Sequence, residues 1–393
     1  MSTLNPGMDA ETFDQFIDQL RRYVRERMIP AEREIVATDR IPADIVQEMR
    51  DMGLFGLTIP EEYGGAGMNI AQYTRTIREL AYAMPAFRSL ISINIGMVTS
   101  ALKNGGTEEQ RREWLPRLAA GEIASFGLTE PGSGSDSAGM QTTAVRSGNG
   151  WVLNGTKRYI TNAPDAQVAV IMARTSKEAL PKNAHVSAFI VPMDTPGISR
   201  GKSDKKMGQS GSHIADIIME DVHLPADALL GAEEGKGFVT AMKSLDNGRL
   251  SVAAASVGYA QRALDSGMRY ATERKAFGEP IANFQLIQAM LADSEIEIYA
   301  ATTMLEDAAR RADAGENVLR KAAAAKVFAS EACGRIVDRV VQIYGGAGYL
   351  AEYDAERFFR DARVYRIYEG TTQILQLQIA KHMLREFAAG AQG

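Results

Sequence analysis

The sequence predicts an α+β protein in three parts: an N-terminal helical domain over residues 1–123, a middle antiparallel β-barrel or sandwich over 124–235, and a C-terminal four-helix bundle over 236–393. Three observations predict it. Apolar residues recur at helical spacing at both ends of the chain. Between them the pattern switches to period two, punctuated by turn residues. The last part offers four helical stretches long enough to pack as an antiparallel bundle.

The elements follow in order. Phe13, Phe16, Ile17, Leu20, Val24 and Met28 mark a helix before Pro30, and Pro42 opens a second that ends near Gly53. Leu54 to Pro60 is an apolar connector and Glu61 to Gly67 a glycine-rich turn. Helical patterns return around 70–84, 88–104 and 108–119. In the middle part, Trp151 to Tyr159 reads as a hairpin about an Asn154-Gly155 turn. Val168–Ala173 and Val186–Val191 are candidate buried strands, and Ile214–Val222 alternates up to Pro225. Long helices are expected over roughly 236–271, 284–314, 318–345 and 371–388.

Composition narrows the function classes. A chain of 393 residues with 45% hydrophobic and 24% charged content has ample core. A net charge of −5 and no basic cluster argue against nucleic acid. The one cysteine, Cys333, excludes an internal disulfide framework. With no apolar signal core, no presequence pattern and no bilayer-length apolar run, the expected setting is the cytoplasm. His185, His213, His223 and His382 are scattered, so metal-ligand spacing is absent.

Two stretches carry chemistry. In Arg366 to Ile374, the carboxylate of Glu369 stands beside Gly370, and a helical run follows whose N-cap is Thr371 or Thr372. A carboxylate presented on such a turn among apolar neighbours can act as a general base, because burial raises its pKa toward the working pH. The alternative is a solvated residue at the positive end of a helix. Phe126 to Asp136 closes a strand and opens a Gly/Ser/Thr loop, able to offer backbone N–H groups and hydroxyls to a phosphate or a flavin edge. It lacks the third glycine of a dinucleotide fingerprint and precedes no helix. Gly346 to Ala351 resembles a relaxed fingerprint but follows a helix.

Taken together, these motifs resemble the acyl-CoA dehydrogenase family over nearly the whole chain. The likeness runs in order through Leu128 to Asp136; Asn154 to Lys157 leading to Ile160-Thr161-Asn162; Gly235 to Phe238; Arg274 to Gly278; Gln342 to Gly346; and Tyr368 to Thr371. The resemblance implies FAD as cofactor and oxidation of an acyl-CoA thioester to the trans-2-enoyl-CoA. Electrons would pass to an electron-transfer flavoprotein, and the assembly would be a homotetramer. An acyl-CoA oxidase, which passes electrons to oxygen, shares these motifs, but typical oxidases are longer.

Site residues follow by the same resemblance. Glu369 would be the base. Phe126, Leu128, Thr129, Gly134 and Ser135 would lie along the flavin, with Tyr159, Ile160 and Thr161 covering its other side. Arg274, Phe277 and Gln285, with Gln342, Gly345 and Gly346, would reach the FAD of a neighbouring subunit, and Thr371 and Gln373 would complete the cofactor site. Ser135, Asp246, Arg249, Tyr368 and Gly370 would meet the acyl-CoA. The thioester oxygen would accept from a flavin ribityl hydroxyl and the Glu369 N–H, an oxyanion-hole arrangement. Members that carry the base elsewhere hold it just before the arginine of the segment matching Leu245 to Arg249, which here is Gly248. Tyr159 departs from the family's usual tryptophan. Arg88, in Phe87-Arg88-Ser89, is similar to the arginine with which glutaryl-CoA dehydrogenases hold a distal carboxylate. The expected reading is an ion-paired or surface arginine and a neutral short, medium or branched acyl chain as substrate; a dicarboxylyl-CoA such as glutaryl-CoA is the alternative that Arg88 raises.

Overall fold

The structure is a computed structural model that describes residues 5–178 and 180–390, apart from the side chains at 246, 247, 389 and 390. Seven helices come first: α1 (Ala10–Tyr23), α2 (Ile29–Thr38), α3 (Ala43–Asp51), α4 (Ile70–Leu80), α5 (Pro85–Ser92), α6 (Thr99–Gly105) and α7 (Glu108–Ala119). Helix α1 does not stop before Pro30. It runs into α2 through a π-turn at Val24–Met28. Pro30 has no N–H to give and its ring crowds the preceding turn, so a locally widened helix absorbs it. A second π-turn, Ile93–Val98, joins α5 to α6, and all six of its residues are buried.

The sheet has seven strands: β1 (Ala124–Gly127), β2 (Thr143–Ser147), β3 (Gly150–Thr161), β4 (Val168–Arg174), β5 (Val186–Pro192), β6 (Ile198–Arg200) and β7 (Ile214–Leu224). It curls, because β4 pairs β1 and β5 and touches β2 at Thr143–Arg174, while β2, β3, β7 and β6 follow in turn. The long pairings β2–β3, β3–β7 and β4–β5 are antiparallel as expected; β1 against β4 is parallel.

The expected Asn154-Gly155 hairpin is corrected. β3 runs straight through both residues, and the register slips between Leu153 and Gly155. The turn into β3 lies at Ser147–Gly150, where Gly148 has φ +55°. Gly155 serves close approach: a Cβ there would meet Thr142 Cα at 2.7 Å. An Asn-Gly pair therefore marks a bulge here as readily as a turn.

Helices α8 (Gly237–Glu273), α9 (Gln285–Asp313), α10 (Leu319–Tyr344), α11 (Asp354–Ala362) and α12 (Thr372–Gly390) complete the chain. One core unites α1–α5 with α8–α11 around Ile17, Phe87, Tyr259, Ile336 and Phe358. A second seats α6 and α7 on one face of the sheet, with Met97, Trp114, Leu128 and Val170. A third fills the other face around Trp151, Phe189 and Ile217. Helices α4, α5 and α8 thus pack in one core, and the segment before α12 meets them there through Tyr365 and Tyr368.

Candidate active site

Glu369 stands on the turn into α12. The Thr371 hydroxyl accepts from Ile374 N at 3.3 Å and caps the helix. Glu369 has φ +55° and Gly370 φ +95°. The left-handed region is uncommon for a residue other than glycine, and such strain persists where surrounding contacts enforce it. Helix α10 supplies contacts: Lys326 Nζ donates to Gly370 O at 2.8 Å, and Glu331 accepts from Thr372 Oγ1 at 2.7 Å and from Arg366 at 3.2 Å.

The carboxylate of Glu369 faces α8. Its Oε2 is buried and has no hydrogen-bond partner among the described residues. A Cβ at Gly248 would come within 2.5 Å of that oxygen. The two positions therefore compete for one space, and Gly248 leaves it to the Glu369 carboxylate. Burial raises the pKa of Glu369 above the ordinary carboxylate range, opposed by the charges of Arg88, Arg249 and Lys326. An ionisable carboxylate with an unmet buried oxygen is what a proton-abstracting base requires.

Arg88 faces the same space. It is 4% exposed, on α5. Its guanidinium donates to Tyr368 Oη at 3.2 Å and to Ser251 Oγ at 3.0 Å, while Nε has no partner. No carboxylate among the described residues pairs with it. Arg249 is buried one residue from Gly248. Asp246 lies on α8, and its side chain is outside the described residues. Three neighbours were not foreseen. Tyr73 on α4 is 3% exposed with an unpartnered hydroxyl. Ser251 is buried one helical turn beyond Gly248. Lys326 is wholly buried. Only Lys326 left a signal in the sequence, as a lone cation in the apolar run Ala322 to Ala329; Tyr73 and Ser251 read as ordinary helix residues.

The second group of expected residues lies along the sheet. Phe126 and Leu128 are buried against Met97. Thr129 O accepts from Arg158 N at 2.9 Å, while Gly134 and Ser135 are exposed beyond it. Added Cβ atoms at Gly132 and Gly134 would meet nothing within 4 Å, so the loop is open for a ligand to approach its backbone. Tyr159 is 59% exposed at φ +59°, Ile160 is buried and Thr161 half-buried. Asn162 then donates to Leu90 O at 3.0 Å, which ties the strand end to α5, the helix of Arg88. An exposed aromatic on strained backbone and an open glycine loop, on a strand end tied to the helix of Arg88, fit a flat, phosphate-bearing cofactor such as FAD.

A third group does not join this site. Arg274, Phe277 and Gln285 are exposed, Phe277 at 98% and φ +52°. Gln342, Gly345 and Gly346 are exposed at the end of α10. Tyr270 stacks on Tyr344 with ring centroids 4.0 Å apart, which places both segments at one end of the bundle. Gly248 and Glu273 are 25 residues apart on continuous α8, about 38 Å at 1.5 Å per residue. These residues cannot reach the Glu369 site of their own chain.

Comparison with known proteins agrees. Family models described as the N-terminal, middle and C-terminal domains of acyl-CoA dehydrogenase match residues 10–122, 125–222 and 235–384. The chain is similar to the mitochondrial short-chain specific acyl-CoA dehydrogenase of Homo sapiens, at 39% identity over 96% of this chain and 91% of that protein. It is similar to the caffeyl-CoA reductase–Etf complex subunit CarC of Acetobacterium woodii, at 41% over 95% and 98%. Among solved structures it is similar to butyryl-CoA dehydrogenase from Megasphaera elsdenii, with TM-score 0.91, 33% identity, and 96% and 100% coverage. A glutaryl-coenzyme A dehydrogenase–glutaryl-CoA complex gives 0.89, 32%, and 96% of both chains. A Mycobacterium smegmatis glutaryl-CoA dehydrogenase in complex with FADH2 gives 0.89, 30%, and 96% and 95%.

Proposed function

The chain belongs to the acyl-CoA dehydrogenase family and is an FAD-dependent oxidoreductase of acyl-CoA thioesters; from that premise we propose that its acyl substrate carries a second, distal carboxylate, held by Arg88. The observation that carries this reading is a buried guanidinium that pairs with no carboxylate among the described residues and has an unmet Nε. Removing an ion from water costs several kcal/mol unless a partner returns it. Arg88 Nε and the unpartnered Tyr73 hydroxyl are donors suited to an incoming carboxylate.

Glu369 takes the α-proton of the thioester. Its position against Gly248 and its strained turn fix where the carboxylate stands, and burial raises its basicity. FAD, when bound, supplies the two-electron acceptor for the β-hydrogen. Leu128, Thr129, Gly134 and Ser135 would hold it on the sheet side, with Tyr159 to Thr161 beyond and Thr371 and Gln373 beside the base. An electron-transfer flavoprotein would receive the electrons, a reading supported by the relative named for its Etf complex. The third group would serve a neighbour's cofactor in a homotetramer. Its distance from Glu369 and the exposed Arg274 and Phe277 support that assignment. Arg274 can bond two pyrophosphate oxygens at once.

A second reading keeps a neutral short acyl chain and gives Arg88 only the task of favouring ionised Glu369, on which its charge acts. The ratio of kcat/KM for glutaryl-CoA to that for butyryl-CoA separates the two. The proposal expects a ratio above one in wild type, and one lowered at least about a hundredfold in Arg88→Ala, on the scale of a lost buried charge pair. A wild type that prefers butyryl-CoA, with a ratio unmoved by the substitution, leaves Arg88 to the second reading.

A further inference from the structure

We propose that Lys326 is a positioning residue of the reaction, pinning the Glu369–Gly370 turn through the Gly370 carbonyl and biasing the base toward its ionised form. Lys326 lies in a run of α10 that otherwise packs as apolar core, with Ala322, Ala325 and Ala329 buried around it. Leucine or methionine would fill that space without desolvating a charge. Instead an ammonium is wholly buried, and its one hydrogen bond among the described residues is to Gly370 O at 2.8 Å. No carboxylate lies within ion-pair distance of it among the described residues. A buried ammonium held by a single carbonyl is a poor structural device, so the placement points to the turn it holds.

That turn needs holding. Two consecutive residues have positive φ, and the first is the base. Strain of this kind is of order 1–3 kcal/mol and persists only where the surroundings over-determine it. Helix α10 grips the segment on both flanks: Glu331 binds Arg366 and Thr372 outside the turn, and Lys326 binds its apex. The Glu331 contacts fix the ends. Lys326 bonds Gly370, the residue that follows the base.

The charges around Glu369 set the second half of the proposal. Arg88 faces it from α5, Arg249 from α8 and Lys326 from α10, with the phenols of Tyr73 and Tyr368 beside them. Lys326 in turn meets Glu369, Glu331 and Arg249, and burial brings its own pKa down to about 8. Its ammonium is therefore charged at neutral pH, and it favours the carboxylate over the carboxylic acid.

The test is the pH dependence of kcat/KM in the flavin-loaded enzyme, using whichever of butyryl-CoA and glutaryl-CoA it turns over faster and a dye acceptor. Lys326→Met removes donor and charge, Lys326→Gln keeps a donor without charge, and Lys326→Arg keeps both. In Lys326→Met the acid limb should move up by about one pH unit, and kcat should fall about tenfold or more. Lys326→Gln should share the moved limb but regain most of kcat. Lys326→Arg should return the limb to its wild-type position. Flavin absorbance and Tm, measured in parallel, separate these effects from loss of fold or cofactor. A folded, flavin-bound Lys326→Met with wild-type limb and kcat overturns the proposal. Should the Met variant not fold, coincidence of the Gln and Arg limbs overturns it equally. None of these outcomes depends on whether Arg88 binds a distal carboxylate.

Discussion

Two of the places where the molecule buries charge treat it in opposite ways. Beside the sheet, Lys157 Nζ donates to Glu130 Oε1 at 2.7 Å and to Leu128 O at 3.4 Å, and Glu130 also accepts from Gln141 N and Thr142 N. Burial pulls Lys157 down to about 8, against the pull of Glu130. Burial alone would raise Glu130, yet Lys157 and the backbone donors hold it below the ordinary carboxylate range. In the candidate active site, Arg88 and Glu369 both have a buried polar atom with no partner among the described residues. A satisfied cluster ties the two motifs Leu128–Asp136 and Asn154–Lys157 together. An unsatisfied one leaves buried polar atoms without partners among the described residues. Buried charge alone does not mark a site; buried charge with unmet hydrogen-bonding capacity does.

The largest way to sharpen that contrast is to neutralise the base. Glu369→Gln should keep the fold and the yellow cofactor and lose about 10²–10⁴-fold in kcat, the usual worth of a positioned general base. Gly248, at the alternative position, has no carboxylate to substitute. Stopped-flow flavin bleaching and the visible spectrum give both quantities, and near-normal turnover would remove Glu369 from its role.

The next is to delete one cation from each cluster. Lys157→Met strands Glu130 in the interior and should cost about 3–5 kcal/mol, as breaking a buried pair does. Arg88→Met removes a charge that has no carboxylate partner among the described residues, so it should be neutral or stabilising while it impairs catalysis. Denaturant unfolding of the flavin-bound variants measures both. Equal destabilisation would collapse the distinction between the clusters.

A pH profile tests the acyl site alone. Because burial raises Glu369, kcat/KM should fall as pH drops through a value above the ordinary glutamate range of about 4.3. Arg88→Met removes an opposing charge and should move that limb further up, by about one unit. The sign follows from the base being active only when ionised. A limb that moves down, or stays fixed, would mean that Arg88 does not act on Glu369.

Much of the fold was legible in the sequence. Periodicity placed α8, α9, α10 and α12 within about two residues of their ends, because long amphipathic faces repeat the same signal many times. Asn154-Gly155 misled, since its backbone freedom serves a bulge against Thr142. Glu369 became a candidate through the resemblance, because its own window of a carboxylate, a glycine and an N-cap reads first as a solvated residue at a helix start. Tyr73, Ser251 and Lys326 were not legible. Periodicity says which face of a helix is buried, not which other helix it meets, and these three meet the base only after α4, α8 and α10 have packed. Arg88 shows the same limit: the sequence supplied the residue, and packing decided which way it faced.

A third kind of charge, neither buried nor free, gives the smallest expected effect. His213 Nδ1 contacts Asp165 Oδ2 at 2.9 Å and Nε2 contacts Asp39 O at 2.7 Å, joining the end of α2 to the turn after β3. Asp165 raises the pKa of His213 above its ordinary value, and His213 lowers that of Asp165. A histidine raised in the folded state contributes stability that is complete below its unfolded pKa of about 6.5 and is lost as pH climbs through the folded value. The pair is partly open to solvent, so about 1 kcal/mol or less is at stake. The Tm advantage of wild type over His213→Gln should therefore be greatest near pH 5.5 and shrink by pH 8.5. Asp165 stays ionised across that range, so it cannot produce the same slope. An advantage that is flat with pH would show the contact to be a neutral hydrogen bond, and the joint between α2 and the sheet would then carry no charge term at all.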